Sequence, residues 1–327
     1  MVVGDDHVEV VFVGPPHRGD GGGTAIDGNY ETGLELCGTA LEGRYGQAIP
    51  VMGPVGQEGC GHRTQLAEEA HHQRRAGYPI HIVITKDQDR FPAIHRFPQP
   101  IHRLAHAGSE DGRLTAEIAP IFPPGGGRPI TRDNGIRPDS SLEQMAKLRP
   151  AFDRQYGSVT AGNASPLTDG AGAVLLMSES AARALGYQPL AFIRSYAVAA
   201  LDPGDQLLMG PAYAVPKAID RAGIRWSDLE LVEMHEAFAA QVLSNIRAFE
   251  SQKWAERLGR SAPIGEVNWN TLNVMGGSIS IGHPFGATGA RITLTLANEM
   301  VRRDAQLALI SVCAQGGMGF AMVLERA

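Results

Sequence analysis

The chain contains no uninterrupted apolar run of about 18 residues, so no transmembrane helix is expected. Cysteine is scarce. Cys37, Cys60 and Cys313 stand at unrelated spacings, too few for a disulfide framework, and a reduced, cytoplasmic setting is expected. There is no surplus of positive charge: 29 Lys and Arg against 35 Asp and Glu give a formal net charge of -6. A broad nucleic-acid surface needs a concentrated excess of Lys and Arg, so no nucleic-acid partner is expected. The opening MVVGDDHVEVVFVG carries acid where a signal peptide carries positive charge, which argues against export. No Gly-Lys-Ser/Thr follows GGSISIG or GGMG and no GxGxxG opens a βαβ unit, so no nucleotide loop is read. What is present is an ordinary globular composition, 43% hydrophobic and 20% charged, over 327 residues. That length suffices for a large core and suggests two domains.

Composition changes near residue 110. Nine of the eleven histidines precede it: His7, His17, His62, His71, His72, His81, His95, His102 and His106. Only one lysine, Lys86, does so. Segments such as GPPHRGDGGGT and HRFPQPIHRLAHAG are rich in His, Pro, Arg and Gly and show little periodicity. PIHIVITKD reads as one strand and RTQLAEEAHHQRRAG as one polar helix; the rest of residues 1–109 reads as loop.

Beyond residue 110 the pattern is that of an α/β protein. SSLEQMAKLRPAF opens with a Ser-x-x-Glu capping box and continues as a short helix. GAGAVLLMSESAARALG reads as a buried strand entering a helix that ends at Gly186. AYAVPKAIDRAG repeats the helix-then-glycine ending, and LELVEMHEAFAAQVLSNIRAF is a strand followed by a long amphipathic helix. GATGARITLTLANEMVRRD gives another helix, and LALISVC and GFAMVLE give two apolar strands. Strands alternating with helices predict a layered, largely parallel sheet.

This part of the chain holds two histidines and one cysteine, each at a strand end or in a glycine turn, where α/β enzymes place catalytic groups. His235 closes LVEM and precedes Glu236; His283 lies in the turn before a helix; Cys313 ends LALISV and precedes AQGGMG. Each alone has a structural reading. A cysteine after a strand packs as a small apolar residue, a turn histidine hydrogen-bonds locally, and paired glycines make tight turns. The three together point to a site.

MHEAFAAQ (234–241), NVMGGSISIGHPFGATGARI (273–292) and CAQGGMGFAMVLE (313–325) resemble the three C-terminal signatures of the thiolase family. GSVTAGNASPLTDGAGAVLLMSE (157–179) resembles the thiolase segment joining the loop domain to the last strands of the N-terminal domain. The resemblance runs from about Asp111 to the end. It implies an α/β fold with α/β/α/β/α layers, a complete C-terminal domain at 188–327, and the end of the loop domain with the last N-terminal-domain elements at 110–187. The N-terminal domain would be largely absent or replaced. It also implies an acyltransferase that makes or cleaves 3-ketoacyl-CoA, with coenzyme A and acyl-CoA as substrates, no cofactor and no metal. His283 matches the histidine that activates a nucleophilic cysteine, and Cys313 the acid/base cysteine. His235 stands where many thiolases have Asn and would complete an oxyanion site with His283. Ser165 and Ala237 match positions lining the pantetheine arm, with Phe238, Gly316 and Gly317 as further substrate contacts. The His-Glu-Ala-Phe form and SPLTDG resemble the long-chain, trifunctional-complex branch of fatty-acid β-oxidation. A homodimer or tetramer is implied, with a hydratase/dehydrogenase subunit as a further partner. Gln315 departs from the small residue usual there, a tolerable change because the family's donor at that point is a backbone N–H.

The resemblance leaves the nucleophile unassigned. Thiolases carry it in a Cys-x-Ser-like motif followed by a Gly-Gly-Met-Glu-Ser-like stretch, and residues 1–109 contain no such stretch. LELCGTALEG around Cys37 is a partial echo, and Cys60 in QEGCGHR a fainter one. Three expectations compete for this segment: a wrong-frame translation joined to a genuine thiolase part, a divergent domain that supplies a nucleophile, or a metal-binding segment. For the last, Cys60, His62, His71 and His72 are ligand types, but their spacing fits no standard zinc pattern. A catalytically inactive remnant that binds acyl-CoA or a partner subunit is the competing functional reading.

Overall fold

The computed structural model describes residues 98–155, 157–204 and 206–327, with the backbone alone of 11–13 and 98–100. All belong to one unit, Met1–Pro15 with Ile84–Ala327; the other, Pro16–Val83, lies outside the described residues. So do the strand expected in PIHIVITKD, the helix expected in RTQLAEEAHHQRRAG, Cys37 and Cys60.

The apolar runs LALISVCA and MGFAMVLER form β5 (Leu307–Ala314) and β6 (Met318–Arg326), joined by the tight turn 315–317. Gly316 and Gly317 adopt φ of 80° and 75°, the left-handed region that glycine enters without penalty. A turn this short forces an antiparallel return, and the pair runs in register from Leu307 opposite Glu325 to Ala314 opposite Met318. The long strand β3 (Pro189–Ala200) lies antiparallel on the other side of β6, and β4 (Leu231–Met234) lies parallel to β5. With β1 (Val11–Val13) and β2 (Leu176–Met177) the sheet order is β2-β1-β3-β6-β5-β4. The expected largely parallel sheet is therefore corrected to a mixed one, in which β4 with β5 is the parallel pair.

Successive side chains of a strand face opposite sides, and here both sides are covered. Ala321 and Val323 of β6 pack with helices α4 (Gly210–Ala222) and α5 (Ala239–Phe249). Met322 and Leu324 face the other way, onto Ile292, Leu296 and Met300 of α8 (Thr288–Arg303). This two-sided burial explains why the strands read as continuous apolar runs rather than alternating ones.

Four local expectations change. The first helix beyond residue 110, α2 (Leu142–Met145), is capped by Ser141, whose hydroxyl accepts the Gln144 N–H at 3.2 Å; the Ser-x-x-Glu register would have used Ser140. The buried strand expected in GAGAVLLM shrinks to β2, and Leu175 and Leu176 are exposed. Val11–Val13, read as loop, pairs with β2 and β3.

The fourth change lies in HRFPQPIHRLAHAG, also read as loop, which forms helix α1 (Pro98–Glu110). Pro98 and Pro100 sit in its first turn, where an absent N–H costs no helical hydrogen bond. Ile101 and Ala105, one turn apart, are buried. The helix α3 (Glu179–Leu185) behaves as expected, with Ser178 accepting the Ala181 N–H and Gly186 left-handed at its end. Among the described residues no helix is long and apolar enough to cross a membrane.

Candidate active site

β4 ends at Met234, and the next four residues lead into α5. Beside them runs the loop 272–277, which enters the one-turn helix α7 (Ser278–Ile281). Asn273 holds the two together. At φ 49° it occupies a conformation that Asn tolerates better than most residues. Its Oδ1 accepts the Met234 N–H at 2.7 Å, and its Nδ2 donates to the Met234 carbonyl at 2.9 Å and to Glu236 Oε1. The amide thus replaces the missing strand partner of Met234. Glu236 Oε2 accepts the Ile279 N–H at 3.0 Å, which clamps α7 to the same frame. A Cβ on Gly277 would sit inside the Glu236 carboxylate, so this position requires glycine. α1 braces the loop from behind: a Cβ on Gly108 would meet Met275 Cε at 2.6 Å.

The frame places His235 and His283 side by side, with ring centroids 4.0 Å apart and planes at 38°. His235 is buried. Its N–H donates to the Ser311 carbonyl at 2.8 Å, and its Nδ1 lies 2.7 Å from Ser278 Oγ. His283 is half-buried, with Nδ1 2.7 Å from Thr288 Oγ1 and its N–H donating to Thr168 Oγ1 at 3.2 Å. Cys313 is buried on β5, two residues beyond Ser311 and close to the Ala237 backbone. The segment 164–168 stitches the site together. Ser165 donates its N–H to the Ala237 carbonyl at 3.0 Å, Ala164 bridges Phe238, and Leu167 bridges His283. Phe238 meets Phe152 edge-on at 6.4 Å. Gly316 and Gly317 lie in the β5–β6 turn after Cys313, with Gln315 exposed beside them.

Burial sets the charge states. Desolvation first, then His283 and Arg291, lower His235 to about 3, so it is a neutral imidazole. Burial and Arg291 also hold His283 below the ordinary histidine value. Desolvation pushes the Cys313 thiol up to about 12 against two backbone hydrogen bonds, so it rests protonated. Burial likewise raises Glu236 to about 7, and Glu233 to about 8 although Arg291 pulls the other way from 3.5 Å. The site therefore offers two neutral imidazoles and a thiol. Such a set can polarise a carbonyl, take a proton from a thiol and return one to a carbanion. Among the described residues no group of three or more His, Cys, Asp or Glu is placed to hold a metal ion.

The family model described as "Thiolase, C-terminal domain" matches residues 187–326, and "Thiolase, N-terminal domain" matches 86–180. The chain belongs to the thiolase family. The N-terminal-domain match begins upstream of Asp111 and takes in α1. A "3-ketoacyl-CoA thiolase" of Photobacterium profundum is 54% identical over 225 residues, 68% of this chain and 52% of the relative. One of Yersinia enterocolitica is 53% identical over the same shares. The chain thus spans about half the length of the curated thiolases it matches. Among solved structures, human mitochondrial 3-ketoacyl-CoA thiolase superposes with TM-score 0.62 at 35% identity, over 72% of this chain and 55% of that one. An acetyl-CoA acetyltransferase of Bacillus anthracis superposes with TM-score 0.63 at 34% identity, over 73% and 58%. The thiolase fold expectation is borne out.

The sequence reading singled out the two histidines and Cys313 but not Asn273, Ser278, Thr168, Thr288 or Arg291, which hold the histidines and their loops. Asn273 had a visible signal, an amide residue opening a glycine-rich loop. The hydroxyls had none, because their partners are distant in sequence.

Proposed function

We propose that this chain carries the C-terminal part of the site of a 3-ketoacyl-CoA thiolase, an acyl-CoA:acetyl-CoA acyltransferase of fatty-acid β-oxidation. The observation that carries the reading is the pairing of His235 with His283 beside a protonated Cys313 in a thiolase fold. In thiolysis a cysteine thiolate attacks the 3-keto carbon, and the oxyanion formed there accepts hydrogen bonds. The carbon–carbon bond then breaks toward the thioester, and the resulting enolate of acetyl-CoA takes a proton. His283 would receive the proton of the nucleophilic cysteine, and His235 would donate to the oxyanion. Cys313, resting as a thiol, would protonate the enolate carbon. Its thiolate would then take the proton of the incoming CoA thiol as CoA attacks the acyl-enzyme. Ser165, Ala237, Phe238, Gly316 and Gly317 would line the pantetheine arm. One solved relative is a human mitochondrial 3-ketoacyl-CoA thiolase in complex with CoA, at 35% identity and TM-score 0.61 over 72% of this chain and 54% of that one, which supports CoA as the ligand.

A cytoplasmic place suits the unpaired Cys313. Assembly as a homodimer or tetramer, with a hydratase/dehydrogenase subunit, fits the apolar surface left at Tyr196, Val198 and Met318.

A second reading, a remnant that binds acyl-CoA or a partner without turnover, is favoured by one observation. Among the described residues Cys313 is the one cysteine, and its raised pKa makes it a poor nucleophile. Thiolysis of a 3-ketoacyl-CoA by the full chain, with Cys37→Ala beside it, separates the two. Turnover abolished by Cys37→Ala supports the enzyme and identifies its nucleophile. Binding of CoA without turnover supports the remnant.

A further inference from the structure

Ser278 opens α7 and is fully buried. Its hydroxyl meets two side chains, His235 Nδ1 at 2.7 Å and Arg291 Nη2 at 3.3 Å. A guanidinium has no acceptor, so Arg291 occupies a lone pair of the hydroxyl oxygen. The single hydroxyl hydrogen then has one destination among the described residues, His235 Nδ1. Were His235 to carry its proton on Nδ1, Ser278 would accept twice and its own hydrogen would be buried unpaired. Leaving that donor buried without a partner biases the equilibrium toward the first arrangement by roughly five- to 150-fold. Thr288 beside His283 differs, because its hydroxyl also has the Pro284 carbonyl at 3.1 Å as an acceptor, so that contact does not fix the His283 tautomer.

We propose that Ser278 and Arg291 are positioning residues that lock His235 as the Nε2–H tautomer, a permanent hydrogen-bond donor beside His283. The guanidinium orients the serine, the serine hydrogen fills Nδ1, and the remaining proton of the neutral ring is left on Nε2, on the other side of the ring from α7. Glu233, 3.5 Å from Arg291 Nη1, holds the guanidinium from its far side. A thiolase with asparagine here would present a fixed amide N–H; a histidine must have its tautomer chosen for it, and the Arg291–Ser278 relay makes that choice. The use of the donor for an oxyanion rests on the thiolase reading above; the tautomer does not.

The test is a long-range 15N–1H correlation spectrum of the full chain labelled with 15N-histidine, with His235→Asn to assign the signal. The parent is expected to show the His235 proton on Nε2, and Ser278→Ala to show a mixture of both tautomers. Arg291→Lys, which keeps a charge beside Glu233, is the second variant and is expected to loosen the preference. A proton on Nδ1 in the parent, or an unchanged tautomer in both variants, overturns the inference. In thiolysis Ser278→Ala is expected to lower kcat with KM unchanged, by less than the about 10²- to 10³-fold that follows loss of an oxyanion donor. In the His235→Asn background the same substitution should cost nothing further, whereas additive losses would overturn a role through His235. If the full chain shows the Nε2–H tautomer and no thiolysis, the enzyme reading fails and the relay stands.

Discussion

Two segments enter the candidate site and are built in opposite ways. In the segment 272–283, Asn273, Gly277 and Ser278 are buried; Asn273 and Glu236 bind each other and backbone, the Gly277 N–H donates to Ser280 Oγ, and Ser278 Oγ meets His235 and Arg291. The segment 157–177 reaches one of the two histidines, His283, through the Leu167 bridge and the Thr168 hydroxyl, and leaves Leu167 93% exposed, with Leu175 and Leu176 also open to solvent. The position of His235 is therefore set by the frame within 231–327, to which the segment 157–177 adds the Thr168 hydrogen bond at His283.

The comparison breaks most visibly at Gly277. Gly277→Ala drives a Cβ into the Glu236 carboxylate and should cost about 3 kcal/mol, the upper part of the range for overpacking. Urea unfolding measures this, and a loss below about 1 kcal/mol would show that the frame yields. Asn273→Gly comes next. Glycine accepts φ 49°, so the substitution isolates the amide, whose loss leaves the Met234 backbone buried without partners. About 2 kcal/mol is expected, with the His235–His283 arrangement loosened as well.

A third effect is seen against pH. Burial raises Glu233 from an ordinary 4.5 to about 8. Between those values the folded state keeps a proton that the unfolded chain has released. The contribution of Glu233 to stability should therefore fall as pH rises through this window, by at most about 1.4 kcal/mol per pH unit. The lowered His235 and His283 and the raised Glu236 act in both proteins, so the parent's stability relative to Glu233→Gln should fall from about pH 5 to about pH 8, and a relative rise would refute the assignment. The smallest effect belongs to the other segment: Leu167→Ser should change stability by no more than about 0.5 kcal/mol. A large loss there would mean that 157–177 is part of the frame after all.

Much of this was legible in the sequence. Glycines flanking His283 and Cys313, and an acidic neighbour after His235, marked the site, because turns at strand ends must let a ligand approach backbone. Helix ends at Gly186 and Gly223 were equally plain, since both are left-handed in the structure. Strand direction was not. LALISVC and GFAMVLE look alike whichever way they pair, and the short turn through Gly316 and Gly317 settles it. α1 was hidden by its two prolines and its histidines. Only its packing on Met275 and Gly276 shows why Ile101 and Ala105 share a buried face.

The sequence by itself determined the family, the residues able to do chemistry and most of the helix ends, because these depend on local backbone demands and on side-chain type. The tertiary structure decided the charge state of those residues and the direction of their hydrogen bonds. His235 is neutral because the fold buries it between His283 and Arg291, and it is turned into a donor by a serine 43 positions away. Desolvation and hydrogen-bond direction depend on neighbours in space, and spacing along the chain carries neither.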